Sequence, residues 1–158
     1  MAKVAFYLLE PTPSQNPDAD TLSLACVLAA RCFRQKQKCL VFCQDKQQAE
    51  RFDELLWQLP ANRFVPHNLA GEGPPGGAPI EIHWQTPTQV SRAVLINLSQ
   101  HLPEFHARFQ QIYDFVPAEE NLKLLARERY KHYRAAGHQL DTLAANSIEE
   151  NESNGKNL

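Results

Sequence analysis

Lys38-Cys39-Leu40-Val41-Phe42-Cys43 is an apolar run of strand length, too short to be a helix on its own. Before it, Leu22, Leu24, Ala25, Leu28, Ala29 and Cys32 recur with helical periodicity from a start at Asp20 or Thr21, either of which can cap a helix. After it, Asp45 opens a second helical pattern carrying Ala49, Phe52, Leu55, Leu56 and Leu59. A strand set between two helices is the repeating unit of an α/β sheet.

Working outward, Lys3-Val4-Ala5-Phe6-Tyr7-Leu8-Leu9 is an earlier strand that ends at Pro11 and Pro13. Beyond Pro60, Pro79-Ile80-Glu81-Ile82-His83-Trp84, Ala93-Val94-Leu95-Ile96-Asn97-Leu98 and Gln111-Ile112-Tyr113-Asp114-Phe115-Val116 read as further short strands, with a short helix between Pro103 and Phe109. The expectation is a Rossmann-like three-layer α/β/α domain with an open, mostly parallel sheet, one domain over residues 1–141. Residues 142–158, rich in Glu and Asn, have little to bury and are expected to be a disordered tail.

The composition narrows the classes. A chain of 158 residues with 43% apolar content and a net charge of -2 suits one globular core, not a chain that coats nucleic acid along its whole surface. No apolar run approaches the ~20 residues of a membrane span, and a cytoplasmic location is expected. Cys26, Cys32, Cys39 and Cys43 match no zinc or redox spacing and read as buried free thiols. His101 and His106 are five apart, which does not place two ligands on one helical face, and no histidine is assigned to a metal. No metal site or cofactor is expected.

The last helix carries the clearest functional signal. Glu119-Glu120-Asn121-Leu122-Lys123-Leu124-Leu125-Ala126-Arg127-Glu128-Arg129-Tyr130-Lys131-His132-Tyr133-Arg134-Ala135-Ala136-Gly137 begins with acids and closes on glycine. Steps of about 100° bring Leu125, Ala126 and Tyr133 near Leu122, whereas Lys123, Arg127, Lys131 and Arg134 share an arc of roughly 80° with Tyr130 at its edge and Glu128 off it. Cations late in a helix also complement its dipole, so this stripe is either dipole chemistry or a binding face.

Gly71-Glu72-Gly73-Pro74-Pro75-Gly76 formally satisfies G-x-G-x-x-G, but Pro74 and Pro75 remove amide donors and Gly77 and Pro79 oppose a following helix. No strand is read directly upstream of it. The stretch reads as a proline-braced crossover loop or, because Phe64, Val65, Pro66 and Leu69 are apolar, as a docking surface for a protein. Ser91 and Ser99 lack a nucleophile elbow, and no paired-carboxylate or metal-hydrolase arrangement stands out. A nucleotide-using enzyme therefore has a fold without a site.

Taken as whole stretches, Phe64-Val65-Pro66-His67-Asn68-Leu69-Ala70-Gly71-Glu72-Gly73-Pro74, Gly76-Gly77-Ala78-Pro79-Ile80-Glu81-Ile82, Asp53-Glu54-Leu55-Leu56-Trp57 and Asp114-Phe115-Val116-Pro117 resemble the chi subunit family of bacterial DNA polymerase III. Leu122-Lys123, Leu125-Ala126-Arg127-Glu128-Arg129-Tyr130-Lys131, Tyr133-Arg134 and Ala136-Gly137 extend the likeness, which covers about residues 4–140. The resemblance implies a non-catalytic accessory subunit of the polymerase III holoenzyme that pairs with the psi subunit, reaches the clamp loader through psi, and grips the acidic C-terminal tail of single-stranded DNA-binding protein. Contact with DNA would then be indirect. The family's tail-binding residues carry over onto Lys123, Arg127, Tyr130 and Lys131, with Val116 and Trp57. Pro75 and the acidic stretch after Asp141 depart from the family pattern.

Side-chain chemistry agrees with that implication. A tail of aspartates ending in an apolar residue and a free carboxylate needs a two-pronged cation, diffuse positive charge and an apolar wall. Arg127, Lys123, Lys131 and Arg134 supply the first two, while Val116, Trp57 and Tyr130 are candidates for the third. The psi-facing surface is expected at Phe64, Val65, Pro66 and Leu69, because a stable partner interface is apolar at its centre. The alternative is a direct single-stranded DNA-binding module using the same basic helix.

Overall fold

In a computed structural model of the protein, residues 2–11, 17–61 and 63–147 are described. A seven-stranded sheet runs through the molecule in the order β3-β4-β2-β5-β6-β1-β7. Its strands are β1 (Lys3–Leu8), β2 (Cys39–Phe42), β3 (His67–Leu69), β4 (Ile80–His83), β5 (Val94–Asn97), β6 (Gln111–Val116) and β7 (Gln139–Ala144). Every strand pairing is parallel, and the fold is the expected Rossmann-like α/β class.

Parallel neighbours need crossovers, and right-handed crossovers decide which face each helix covers. Helices α1 (Pro17–Arg34) and α2 (Lys46–Leu56) carry the chain from β1 to β2 and on to β3, both toward the β3 edge, so they share one face. Helix α3 (Glu120–Ala135) joins β6 to β7 in the opposite direction and so covers the other face. The buried side chains divide accordingly. Tyr7, Val41, Ile82, Ile96 and Phe115 pack with Leu28 and Phe52 under the first two helices, whereas Val4, Phe6, Leu40, Leu95 and Ile112 pack with Phe105, Phe109 and Tyr133 on the α3 side. Strands buried on both faces explain the near-continuous apolar runs in the sequence.

Four local readings are corrected. Helix α1 begins at Pro17, ahead of the expected Asp20 or Thr21. The segment between Pro103 and Phe109 holds only a 3-10 turn at His106–Arg108. A strand, β3, does lie directly upstream of the glycine stretch. Finally, β7 continues three residues past Asp141, so Thr142, Leu143 and Ala144 belong to the sheet, not to a tail. Residues 148–158, on which the rest of the disorder expectation falls, lie outside the described residues.

The glycine stretch is the crossover between β3 and β4. Its direction, toward the β7 edge, places it on the same face as α3, where it covers Leu40 and the polar pair Glu81 and His83. Arg92 clamps it by donating to the Pro79 carbonyl at 2.8 Å and the Gly76 carbonyl at 3.1 Å, and Asn68 accepts from the Ala78 amide at 2.7 Å. Gly77 has a positive φ of +77°, and a Cβ there would run into Glu81 and Arg92. No helix follows these glycines, so they present no amide-lined terminus to a phosphate. Among the described residues, no helix is long and apolar enough to cross a membrane.

Candidate functional site

Helix α3 is held at both ends by its sequence. Glu120 sits in the first turn, and at the other end Gly137 adopts φ +90° while its amide bonds to Arg134 O at 3.0 Å and that of His138 bonds to Tyr133 O at 3.2 Å. This double bond pattern is the Schellman stop that a terminal glycine permits. Ala126, Arg129 and Tyr133 are the buried residues of the helix, with Leu122 and Leu125 half-buried beside them.

On the outward side, Arg127, Lys131 and Arg134 are exposed and Lys123 is half-buried. The stripe is less purely cationic than expected. Lys123 meets Glu120 at 3.6 Å and Lys131 meets Glu128 at 3.3 Å, each three residues apart on the helix. Among the described residues, no acid pairs with Arg127 or Arg134. These two guanidinium groups are therefore the available charge of the site, and planar bidentate donors suit a carboxylate better than ammonium groups do.

Tyr130 leans its ring on Phe6, with centroids 5.4 Å apart, and remains partly accessible at the margin of the stripe. Val116, at the end of β6, is half-buried against the same cluster. Leu124, 54% exposed, is a further apolar side chain on the outer surface of α3 that the pattern of charges did not single out.

Trp57 is not brought to this group. It caps α2 on the opposite face of the sheet, beside edge strand β3, where its ring lies 5.7 Å from Phe64 and 4.7 Å from His67. From β3 to β6 there are four strand spacings, roughly 19 Å at about 4.8 Å each. Of the expected psi-facing residues, Phe64 is exposed and Pro66 and Leu69 are half-buried, but Val65 is 1% exposed and belongs to the core under α2. Trp57 and Phe64, 60% and 66% exposed, form an aromatic pair at the surface.

A buried polar centre beneath α3 escaped the sequence reading. Asp114 on β6, fully enclosed, accepts from Arg129 at 3.0 Å, Tyr133 Oη at 3.0 Å, Asn97 Nδ2 at 3.0 Å and its neighbouring Phe115 amide at 2.7 Å. Burial, and then the Asp114 charge, push the Tyr133 hydroxyl well above its ordinary pKa, which keeps it a donor. Arg129 differs from its neighbours in pointing inward. Its position among Leu122, Ala126 and Tyr133 on the helical projection was the available signal.

At the C-terminal ends of the strands, where open α/β sheets commonly hold ligands, a cavity of about 370 Å³ is lined by Asp18, Asp45, Gln48, Ser99, Glu119 and Arg129 among others. Three amides at its rim are already engaged. Asp45 Oδ1 accepts from the Gln48 amide at 2.8 Å, Gln48 Oε1 from the Gln44 amide at 2.7 Å, and Gln44 Oε1 from the Gln100 amide at 2.7 Å. A phosphate entering here would face three carboxylates and bonded amides. Elsewhere, the four cysteines are free and buried, with burial pushing the Cys26 thiol up to about 12. Among the described residues, no group of three or more His, Cys, Asp or Glu side chains is arranged for a metal ion.

Against this geometry, comparison with known proteins is decisive for the family. A sequence model described as DNA polymerase III chi subunit, HolC, matches residues 1–141. The chain belongs to the chi family. The DNA polymerase III subunit chi of Escherichia coli (strain K12) is 47% identical over 143 residues, covering 90% of this chain and 97% of that protein. The corresponding subunit of Haemophilus influenzae is 45% identical over 144 residues, at 90% and 97% coverage. That of Pseudomonas aeruginosa is 33% identical over 140 residues, at 89% and 94%. Membership places this chi-family chain among the accessory subunits of DNA polymerase III in DNA replication.

Proposed function

We propose that this chi-family chain is an adaptor that holds an acidic protein tail on α3 and a second subunit on the Trp57–Phe64 surface. The tail is the C-terminal segment of single-stranded DNA-binding protein, and the second subunit is psi, through which the chain reaches the clamp loader. The observation that carries the first part is the pair of exposed arginines, Arg127 and Arg134, which meet no acid among the described residues, on a helix that also presents Tyr130. Arg127 is assigned to the terminal carboxylate, with Lys123, Lys131 and Arg134 drawing in the aspartates and Tyr130 and Val116 receiving the last side chain.

A titration with the tail peptide, repeated with its final residue removed, tests the assignment. Loss of binding on removal supports a pocket; equal binding would reduce recognition to charge alone and remove the role of Tyr130 and Val116. A direct single-stranded DNA binder would use the same cations, but two of the four already meet acids on the helix. Binding of naked single strands at physiological salt, with a steep salt slope, would favour that reading.

The psi surface is proposed at Trp57, Phe64, Pro66 and Leu69. Exposed aromatic side chains packed against one another are the usual anchors of a stable interface. Phe64→Asp should abolish co-purification with psi, and undiminished capture would move the interface elsewhere.

A further inference from the structure

We propose that the open edge of β7 and the basic side of α3 together accept an extended acidic segment as an eighth strand of the sheet. This rests on the acidic-tail reading above and specifies how the tail backbone is held.

Among the described residues, strand β7 pairs with β1 alone and ends the sheet. The Gln139 amide bonds to Ala2 O and the Ala145 amide to Leu8 O, both at 3.0 Å. Alternation along a strand then turns the amides and carbonyls of Leu140, Thr142 and Ala144 away from β1, toward the free edge. Unpaired edges of this kind are templates for strand addition.

The basic stripe overhangs this edge. Arg129 reaches Asp114 on β6, and the next residue, Tyr130, packs on Phe6 of β1. Turning further round the helix in the same sense leads over β7, and there lie Lys123, Arg134 and Arg127. On the same face β7 offers Leu140, Thr142 and Ala144, in register with Val4, Phe6 and Leu8. All three are uncharged, while Asp141 alternates to the other face.

Spacing also matches. Lys123, Arg127 and Lys131 follow one another every four residues, a rise of about 6 Å along the helix. Alternate residues of an added strand repeat every ~6.6 Å, so acids at every second position meet successive cations. The occupant is accordingly an extended segment rich in Asp or Glu. A helix would leave the edge amides unmet, and a neutral strand would offer nothing to Arg127 and Arg134, which meet no acid among the described residues.

The test uses the full chain and the acidic tail peptide. Amide hydrogen exchange should show new protection at Leu140, Thr142 and Ala144 when the peptide is added. Thr142→Pro removes one outward amide without touching a bond to β1, and proline is tolerated at such edge positions. It should weaken peptide binding about tenfold or more with the melting temperature unchanged, while Thr142→Ala binds like the parent. If Arg127→Ala loses the peptide but Thr142→Pro does not, and the three amides stay unprotected, strand addition is wrong and the α3 site stands. If neither variant loses it, both readings fall. Protection of the three amides before peptide is added, whether by a second copy or by the chain's own residues beyond Ser147, would also overturn the proposal.

Discussion

Arg129 is enclosed with its guanidinium 3.0 Å from the fully buried Asp114, whereas Arg127, two positions earlier on the same helix, is exposed. Removing one partner of an enclosed ion pair leaves a charge without solvent or counterion. Arg129→Leu is therefore expected to lower unfolding stability by ~3–5 kcal/mol, read from urea denaturation, because Asp114 keeps only neutral donors. Arg127→Ala should stay within about 0.5 kcal/mol of the parent in the same measurement. Helical projection separates these two arginines from sequence alone, since Arg129 falls among the apolar residues. What it could not supply was the partner, because Asp114 is fifteen positions away on another element, flanked by Tyr113 and Phe115. It does place Glu120 on the arc of the cations, beside Lys123, but not Glu128, which turns back from outside the arc onto Lys131.

Single elements differ sharply in how far their sequences expose them. The buried strands β1, β2, β5 and β6 announce themselves as apolar runs, because both faces are covered. The edge strands do not. His67-Asn68-Leu69 is short and half-polar, and in Gln139-Leu140-Asp141-Thr142-Leu143-Ala144 the two leucines fall on opposite faces, which breaks any period-two pattern. The glycine stretch was legible as a crossover, but its clamp, Arg92, was not. Gly77→Ala should cost about 1–3 kcal/mol through its positive φ and the blocked Cβ position, seen as a lower melting temperature. At the C-terminal end of α3, the Ala2 amide donates to His138 Nδ1 at 3.0 Å, which leaves the ring's proton on Nε2 to donate to His106 Nδ1 at 2.8 Å. Burial lowers both pKa values from 6.5, so the folded state favours the neutral rings. Their contribution is complete above about pH 6.5 and is lost as pH falls through the lowered values. The melting temperature should therefore drop on acidification below that point, less steeply in a His106→Gln variant.

For the whole molecule, the two proposed interfaces lie at opposite edges and on opposite faces of the sheet. From β3 to β7 there are six strand spacings, roughly 29 Å at about 4.8 Å each. A bridge of this form holds two partners without making them compete. Tail-peptide affinity is expected to agree between the chain alone and its complex with psi to within about 0.5 kcal/mol, measured by parallel titrations. Binding should weaken with added salt, since the cations are exposed, yet the net charge of -2 argues against general affinity for polyanions. The measurement that bears most directly on the central claim is calorimetric titration of the acidic tail peptide into the parent chain and Arg127→Ala at low salt. The predicted result is a loss of about 30-fold or more in affinity, ~2 kcal/mol or more, with the fold intact. Equal affinity for parent and variant would contradict it.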